Sequence, residues 1–230
     1  MIVLSLAGNS NRFFSSGYTT VKYLLLLQGK PVISHILNWI PRDIKILLVL
    51  NEKYNDVVLI KNLLNSLNFS NFRVVEVGDT LGQSDTVFRG LCGCPDFWVE
   101  QEELIVFNGD TIRKSATWNF GMFGNYIEVF KGQGTHWSFV DNLGLVQRVE
   151  EKVRISKYCS DGLYTFESIM IFLRFFELYK KNLTSELYVA PIYNLMIMDG
   201  YAVHSGVIDQ ENLVFCGTPD EYERAVLDNR

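Results

Sequence analysis

Two apolar segments, each followed at once by a turn of small and polar residues, constrain this chain more than any other feature. The first segment, residues 1–7, runs into a glycine turn at Gly8. The second, residues 104–107, runs into Asn108-Gly109-Asp110. Continuous apolar runs of this length are typical of strands buried in a parallel sheet. Because parallel strands end at one edge of an open α/β sheet, the two turns are expected to lie close together.

The chemistry of these turns suits an anion and a metal ion. Small residues after Gly8 let backbone N–H groups approach an anion, while Arg12 and Lys22 bring positive charge. A carboxylate at Asp110 suits a divalent ion that bridges nucleotide phosphates. Each turn also has a purely structural interpretation, since glycine turns often only join a strand to a helix and Asp110 fits an Asn-Gly-Asp turn.

Composition limits the class of protein. The 230 residues are 48% hydrophobic and 20% charged, which suits one compact domain with a large core. A net charge of −5 argues against nonspecific binding of nucleic acid. The four cysteines lack the paired spacing of a zinc site and are predicted to be buried free thiols. Because the sequence shows no signal peptide and no membrane-spanning stretch, we expect a cytoplasmic protein without membrane insertion. Assembly into a homo-oligomer is possible on this sequence.

Strands alternating with helices in the first half predict right-handed crossovers and a mostly parallel sheet. After Asp110 the pattern changes to short strands, which we expect to form a small sheet, followed by helices and two further strands. A last helix is expected to start at Thr218-Pro219-Asp220. The predicted strands are 2–7, 44–50, 73–77, 103–108, 126–131, 136–140, 143–149, 201–208 and 213–216. The predicted helices are 31–39, 53–68, 83–92, 167–181, 187–199 and one from about 220.

The ordered motifs resemble those of the sugar-phosphate nucleotidyltransferase family over nearly the whole chain. The whole set of motifs, in this order along the chain, is more specific than any single motif. The motifs are Leu6-Ala7-Gly8-x-x-x-Arg12-Phe13, Gly17-Tyr18-Thr19-Thr20-x-Lys22, Gly29-Lys30-Pro31, Gly82-Gln83-x-x-Thr86, Asn108-Gly109-Asp110, His136-Trp137-Ser138-Phe139, Glu151-Lys152, Ile155-Ser156, Gly162-Leu163-Tyr164 and Cys216-Gly217-Thr218-Pro219-Asp220.

The resemblance implies a Rossmann-like three-layer α/β sandwich with a mixed, mostly parallel central sheet. It implies one domain over residues 1–230, with a nucleotide-binding half at about 1–115 and an acceptor-binding half at about 116–230. Arg12, Lys22 and Lys152 would be catalytic, and Asp110 would bind Mg²⁺, or Mn²⁺ in its place. The other implied nucleotide-binding residues are Leu6, Ala7, Gly8, Asn9, Ser10, Asn11, Gly82, Gln83, Thr86, Asn108 and Gly109.

The implied acceptor-binding residues are Glu151, Lys152, Trp137, Ser138 and Tyr164. Two of these roles have structural alternatives. The loop at Gln83 could form a helix cap through Thr80 or Ser84 and not contact the base. Glu151 and Lys152 could belong to a solvated charged strand and not bind the acceptor. Trp137, Tyr164 and Phe166 suit stacking on an acceptor, but aromatic residues at strand spacing are more often core.

The chain departs from the family at Ser10, where a second glycine is usual, and at Val21, where a proline commonly precedes the lysine. Phe215 stands where many relatives carry an aspartate as second metal ligand. Three explanations stay open: Asp110 acts with phosphate oxygens and water, another carboxylate such as Asp209 replaces the missing one, or activity is lost.

The resemblance implies a reaction between a nucleoside triphosphate and a phosphorylated small-molecule acceptor, with release of pyrophosphate. The shortness of the chain favours CTP and leaves both sugar 1-phosphates and small non-sugar phosphates, such as phosphocholine or phosphoglutamine, as acceptors. The later motifs suggest capsule or surface-polysaccharide synthesis in bacteria. The alternatives are a glycosyltransferase of the related GT-A fold, which would need an Asp-x-Asp motif, and a noncatalytic nucleotide-sensing domain.

Overall fold

The computed structural model describes residues 1–114, 124–181 and 186–228. The predicted boundary between the two halves, at about residue 115, lies outside these residues. The described strands are β1 Ile2–Leu6, β2 Leu26–Leu27, β3 Lys30–Pro31, β4 Ile46–Asn51, β5 Phe72–Val77, β6 Leu104–Asn108, β7 Thr111–Arg113, β8 Tyr126–Lys131, β9 Ser138–Val140, β10 Gly144–Leu145, β11 Val149–Glu151, β12 Tyr158–Phe166, β13 His204–Val207 and β14 Leu213–Phe215.

Helices cover both faces of the main sheet. The described helices are α1 Asn11–Ser15, α2 Val32–Leu37, α3 Val57–Ser66, α4 Gln83–Cys92, α5 Ile169–Lys180, α6 Ile192–Met198 and α7 Pro219–Asp228. Apolar residues of α4, α5 and α6 pack on one face of the sheet. Those of α2, α3 and α7 pack on the other. The predicted three-layer α/β sandwich is therefore confirmed.

The main sheet has the order β10-β13-β8-β12-β6-β1-β4-β5, with β9 and β11 attached beside β12. Along this path all strands except β10 and β12 point in the same direction. This confirms the prediction of a mixed, mostly parallel sheet. The carboxyl ends of β1, β4 and β6 consequently lie side by side, as the register of Ser5 opposite Asn108 shows.

The largest difference from the sequence prediction is β12, a nine-residue strand that was not predicted. It lies between β6 and β8 and so joins the two halves of the chain in one sheet. The short strands after Asp110, predicted to form a small sheet, are joined to the main sheet, because β8 is part of it and β9, which pairs with β11, also pairs with β12. The predicted strand 143–149 is instead two short strands, β10 and β11.

A smaller expectation concerns the cysteines. All four cysteines are free, but Cys92 is exposed rather than buried as predicted, because it ends α4 where the helix meets solvent. In the part of the chain that the structure describes, no helix is long and apolar enough to cross a membrane.

Candidate active site

A cavity of about 580 Å³ opens at the edge where β1 and β6 end. It is lined from both halves of the chain, because β12 brings the acceptor-side residues next to β6. Of the predicted site residues, Leu6 alone does not line it: its side chain is buried beneath Gly109. The predicted residues that line the cavity are Ala7, Gly8, Asn9, Ser10, Asn11, Arg12, Lys22, Gly82, Gln83, Thr86, Asn108, Gly109, Asp110, Trp137, Ser138, Glu151, Lys152 and Tyr164.

The glycine turn is held in place by contacts from outside it. Ser10 has φ 50°, the left-handed conformation that glycine adopts most readily, and its hydroxyl accepts a hydrogen bond from the Lys22 N–H at 3.2 Å. Val21 has φ −62°, close to the angle that proline fixes. The backbone therefore keeps the shape that the family's glycine and proline favour, although this chain has neither.

Buried Asn51 at the end of β4 supports the same turn. Its amide donates hydrogen bonds to the Ala7 carbonyl at 3.2 Å and to the Asp79 carboxylate at 3.0 Å. Sequence reasoning did not identify Asn51. A buried amide at the end of an otherwise apolar strand was the available signal, because such a group needs hydrogen-bond partners.

Lys22 and Asp110 form an ion pair in the cavity. The Lys22 ammonium is 2.5 Å from Asp110 Oδ2, and the two side chains are 26% and 19% exposed. Asp110 also accepts the Cys216 N–H on its backbone carbonyl at 2.7 Å, which fixes the start of β7 beside β14. The structure thus places the predicted phosphate-binding lysine and the predicted metal carboxylate in direct contact.

The Gly82-Gln83 loop does not follow the helix-cap interpretation. Gly82 itself is the N-cap of α4, without a side-chain cap. The Ser84 hydroxyl donates to the Leu187 carbonyl at 3.0 Å, and the Thr80 and Thr86 hydroxyls bond each other at 2.8 Å. These contacts leave Gln83 to face the cavity.

The Gln83 amide is oriented by its neighbours at the strand ends. Its Nε2 donates to Asn108 Oδ1 at 2.6 Å and to Ser5 Oγ at 3.2 Å. Gln83 lines the cavity, and its amide also carries an oxygen that can accept a hydrogen bond.

On the acceptor side, Glu151 and Ser138 are paired across β9 and β11. The Ser138 hydroxyl donates to the Glu151 carboxylate and lies 3.4 Å from the Tyr164 hydroxyl. Burial raises the pKa of Glu151 above its usual value. Glu151 is half-buried and faces the cavity, whereas Lys152 is exposed, so the interpretation as a solvated charged strand does not suit Glu151 but stays open for Lys152.

Lys152 lies next to this pair in a strained backbone conformation. Its φ is 59°, unusual for a residue with a long side chain, and strain of this kind concentrates at functional sites. Its ammonium donates a hydrogen bond to the Tyr188 hydroxyl, which in turn donates to Glu186. Tyr188 and Glu186 both line the cavity, and sequence reasoning missed them because no motif marks them.

The aromatic residues divide between site and core. Trp137 packs against Phe215 at 4.8 Å between ring centroids, and both line the cavity. His136 also lines it. Phe166 is fully buried and stacks on Tyr193 at 4.8 Å, so it belongs to the core.

The expected replacement for the missing second carboxylate is not at Asp209, which is exposed and does not line the cavity. Glu221 lines it instead, but its Oε2 accepts the N–H groups of Gly217 and Thr218 at 3.1 and 3.0 Å, as in a capping box of α7. Among the described residues, no group of three His, Cys, Asp or Glu side chains is spaced to hold a metal ion.

Comparisons with known proteins agree with the architecture. No protein-family model matches the sequence, and no curated protein sequence matches it. The crystal structure of the nucleoside-diphosphate-sugar pyrophosphorylase from Vibrio cholerae RC9 is similar over 99% of this chain and 100% of that one, with 32% identity and a TM-score of 0.91. The inositol-1-phosphate CTP transferase from T. maritima matches over 96% and 89%, with 20% identity and a TM-score of 0.71.

A UDP-glucose pyrophosphorylase from Acinetobacter baumannii shares the fold as well, over 99% of this chain and 92% of that one, at 18% identity and a TM-score of 0.73. The fold is thus that of the Rossmann-like nucleotidyltransferases. The similarity to the Vibrio protein extends over the full length of both chains and includes 32% sequence identity, so it shows the family as well as the fold. This chain belongs to the sugar-phosphate nucleotidyltransferase family, as the motifs predicted, and is a nucleotidyltransferase.

Proposed function

We propose that this enzyme transfers a nucleoside monophosphate from a nucleoside triphosphate to a phosphorylated small-molecule acceptor. The observation that carries the proposal is the shared cavity. The glycine turn with Arg12 and Lys22, the carboxylate of Asp110, and the Glu151-Lys152 pair all face the same space.

The arrangement suits direct in-line transfer. An oxygen of the acceptor phosphate attacks the α-phosphorus, a new P–O bond forms, and the bond from the α-phosphorus to the bridging oxygen breaks so that pyrophosphate leaves. No protein nucleophile is required, so positioning and electrostatics supply most of the acceleration. Arg12 and Lys22 hold the triphosphate, and Lys152 holds the acceptor phosphate.

Asp110 is the proposed ligand for Mg²⁺, with Mn²⁺ as a substitute. The fit rests on its partly exposed carboxylate, which faces the cavity and already binds a cation, the Lys22 ammonium, at 2.5 Å. An oxygen ligand of this kind suits Mg²⁺, which commonly binds through one or two carboxylates, substrate phosphates and water. The bound metal neutralises charge on the phosphates. One protein carboxylate is therefore compatible with the presence of Phe215.

The nucleotide base is assigned to the loop that carries Gln83. Its side-chain oxygen accepts a hydrogen bond from a base N–H group, such as the 4-amino group of cytosine, and the same oxygen would accept the ring N–H of uracil. The compact chain supports CTP as the first candidate. One structural neighbour, at 19% identity, was solved with UTP bound, so UTP is the natural competitor in any test.

Substitution of Gln83 by alanine tests the base contact. Loss of one matched polar contact in a closed pocket costs about 1–3 kcal/mol, so Gln83→Ala should weaken discrimination among nucleotides by roughly tenfold. The measurement is kcat/KM for the four common triphosphates at a fixed acceptor concentration. An unchanged ranking with unchanged values would place the base contact elsewhere.

For the acceptor, we propose a sugar 1-phosphate or a small non-sugar phosphate such as phosphocholine or phosphoglutamine, within a cytoplasmic step of bacterial capsule or surface-polysaccharide synthesis. Lys152 suits the phosphate, and Glu151 with Ser138 suits a hydroxyl or another polar group of the acceptor. The names of the structural neighbours include glucose and inositol phosphate enzymes, which supports sugar and polyol phosphates in the first panel.

The decisive experiment is a screen of the four common triphosphates against phosphorylated acceptors, with release of pyrophosphate as the readout. The proposal expects release that needs both substrates and a divalent ion. Consumption of a nucleotide sugar without pyrophosphate would instead support a GT-A glycosyltransferase. Nucleotide binding without turnover on any acceptor would support the sensing domain, which the loss of a carboxylate at Phe215 favours.

A further inference from the structure

The segment around Leu187 connects the proposed base loop to the acceptor side of the cavity. The Leu187 N–H donates to the Leu81 carbonyl at 2.8 Å, and the Leu187 carbonyl accepts the Ser84 N–H at 3.0 Å. Gly82 makes this docking possible, because a Cβ there would lie 2.5 Å from the Leu187 carbonyl oxygen. The position of this segment is therefore fixed by the loop that precedes α4.

Glu186 and Tyr188 flank this anchor point. Leu187 is buried, whereas Glu186 and Tyr188 both line the cavity, as expected for an extended segment whose side chains alternate. The Tyr188 hydroxyl has a directed arrangement: it donates to the Glu186 carboxylate and accepts from the Lys152 ammonium. The Lys152 ammonium also lies 4.4 Å from the centre of the Tyr188 ring.

Tyr188 also lies close enough to Arg12, on the proposed nucleotide side of the cavity, for the charge of Arg12 to act on it. Burial and the Glu186 carboxylate raise the pKa of the Tyr188 phenol, whereas the charge of Arg12 lowers it. The phenol thus stays protonated and stands near a cation from each half. This is the region where the acceptor phosphate must approach the α-phosphorus.

We propose that Tyr188, oriented by Glu186, is a positioning residue that holds Lys152 for the acceptor phosphate. The inference rests on the role of Lys152 under the proposed function. A lysine side chain is flexible and loses rotamer entropy when it binds a phosphate. A hydrogen bond and a ring contact from Tyr188 restrict the Lys152 ammonium before the acceptor arrives, which lowers that cost.

Competitive labelling of Lys152 with acetic anhydride tests this inference without a known acceptor, with inorganic phosphate as the probe. In the wild type, phosphate should slow acetylation of Lys152, read from the modified peptide by mass spectrometry. In Tyr188→Phe, we expect acetylation several-fold faster without phosphate, and protection that needs roughly tenfold more phosphate. Tyr158→Phe, which changes a tyrosine that does not line the cavity, should behave as the wild type.

Two outcomes separate the inference from the proposed function. If phosphate protects Lys152 equally in the wild type and in Tyr188→Phe, the positioning role is wrong although Lys152 still binds phosphate. If phosphate does not protect Lys152 even in the wild type, the acceptor role of Lys152 fails first. Glu186→Gln gives a second variant should Tyr188→Phe not fold, and it should show the same changes to a smaller extent.

Turnover provides a readout that a purely structural role would not reproduce. With the acceptor found in the screen, Tyr188→Phe should raise the acceptor KM with little change in kcat or in the KM for the triphosphate. Adding Tyr188→Phe to Lys152→Ala should have no further effect, because the tyrosine acts through the lysine. Additive effects in the double variant would overturn the inference.

Discussion

At the scale of single residues, the turn after β1 adopts at Ser10 and Val21 the backbone angles that glycine and proline favour, although this chain has neither residue there. Ser10 adopts the left-handed conformation usual for glycine, and it gains a hydrogen bond to the Lys22 N–H in exchange. Such a conformation costs about 1–3 kcal/mol of strain. One hydrogen bond contributes about 1 kcal/mol and therefore offsets this cost in part.

The ion pair of Lys22 with Asp110 has a consequence for metal binding. The Lys22 ammonium on Oδ2 competes with a metal ion for the negative charge of Asp110, and a bound triphosphate would offer Lys22 new partners. The nucleotide-free enzyme should therefore bind metal weakly. Lys22→Met, which keeps the length of the side chain without its charge, should raise the affinity for Mn²⁺ alone by roughly fivefold, the equivalent of about 1 kcal/mol for a partly exposed pair.

Free Mn²⁺ measured by electron paramagnetic resonance, with nucleotide absent, checks this prediction. Asp110→Asn is the matched control, since it should remove Mn²⁺ binding whether or not Lys22 is present. Equal Mn²⁺ affinity of Lys22→Met and the wild type would mean that the ammonium does not compete for the carboxylate. Binding that survives in Asp110→Asn would remove the proposed metal role itself.

At the scale of elements, a buried charge cluster ties three strands together behind the cavity. Arg113 on β7 contacts Glu128 on β8 and lies 3.1 Å from Asp161 on β12. All three residues are buried. Because β7 starts directly after Asp110 and Asp161 lies in the bulged part of β12, the cluster connects the strand that follows Asp110 to the strand that carries Tyr164.

Removal of Arg113 should be strongly destabilising. Arg113→Leu leaves two buried carboxylates without their cation, which costs about 3–5 kcal/mol. Arg174→Leu is the matched control, because Arg174 forms an exposed ion pair with Asp199 at 2.8 Å and such pairs contribute at most about 1 kcal/mol. The free energy of unfolding of both variants, measured with denaturant, checks this prediction. Similar losses of unfolding free energy in the two variants would show that burial of the cluster carries no special cost.

The same cluster predicts a pH dependence. Burial, together with the charge of Glu128, raises the pKa of Asp161 well above 3.8, although Arg113 opposes this. Tyr126, the other titratable neighbour of the cluster, has a raised pKa as well. An acid with a raised pKa in the folded state contributes stability that is fully present below its unfolded pKa and is lost as the pH rises through its folded pKa.

Asp161→Asn removes this titration but keeps an oxygen for the Leu163 N–H, which donates to Asp161 Oδ1 at 3.1 Å. The unfolding free energy of the wild type minus that of Asp161→Asn should therefore fall as the pH rises from 3.8 toward neutrality. Denaturant titrations at several pH values give this difference. Parallel stability curves would show that Asp161 has the same pKa in both states.

This cluster also explains why β12 was not predicted from the sequence. Asp161 and Gly162 interrupt an apolar run and suggest a turn, and Gly162 does have a left-handed φ of 94°. The strand continues through them because Arg113, distant in sequence, neutralises the aspartate. Gly162 is needed because a Cβ there would lie 2.1 Å from the Asn108 amide. Tertiary contacts of this kind leave no local pattern.

At the scale of the whole molecule, the parts that sequence could predict are those with local signals. β1, β4 and β6 are continuous apolar runs with turn residues after them, and their parallel order predicted the edge where the cavity lies. Tyr188 and Glu186 reach that cavity only through the docking of Leu187 on a remote loop. A residue placed by such a contact cannot be identified from its neighbours in sequence.

The cavity joins two halves that are expected to bind different reactants, and the two lysines separate them. Lys22 contacts Asp110 beside the glycine turn, whereas Lys152 lies at the end of β11 and contacts Tyr188. Lys22→Ala should reduce the chemical step by roughly 10²–10³, as for the loss of one preorganised contact to developing charge. Lys152→Ala should raise the acceptor KM and leave triphosphate binding almost unchanged.

Calorimetry of triphosphate binding without acceptor, combined with steady-state kinetics, distinguishes the two roles. The physical reason is separation within the cavity: a cation that binds the acceptor phosphate has no partner until the acceptor arrives, so its removal leaves the affinity for the triphosphate intact. Lys180→Ala is the matched control, since Lys180 is exposed, pairs with Glu177 at 2.9 Å and does not line the cavity. If Lys152→Ala weakens triphosphate binding and leaves acceptor saturation unchanged, the assignment of the two halves is wrong.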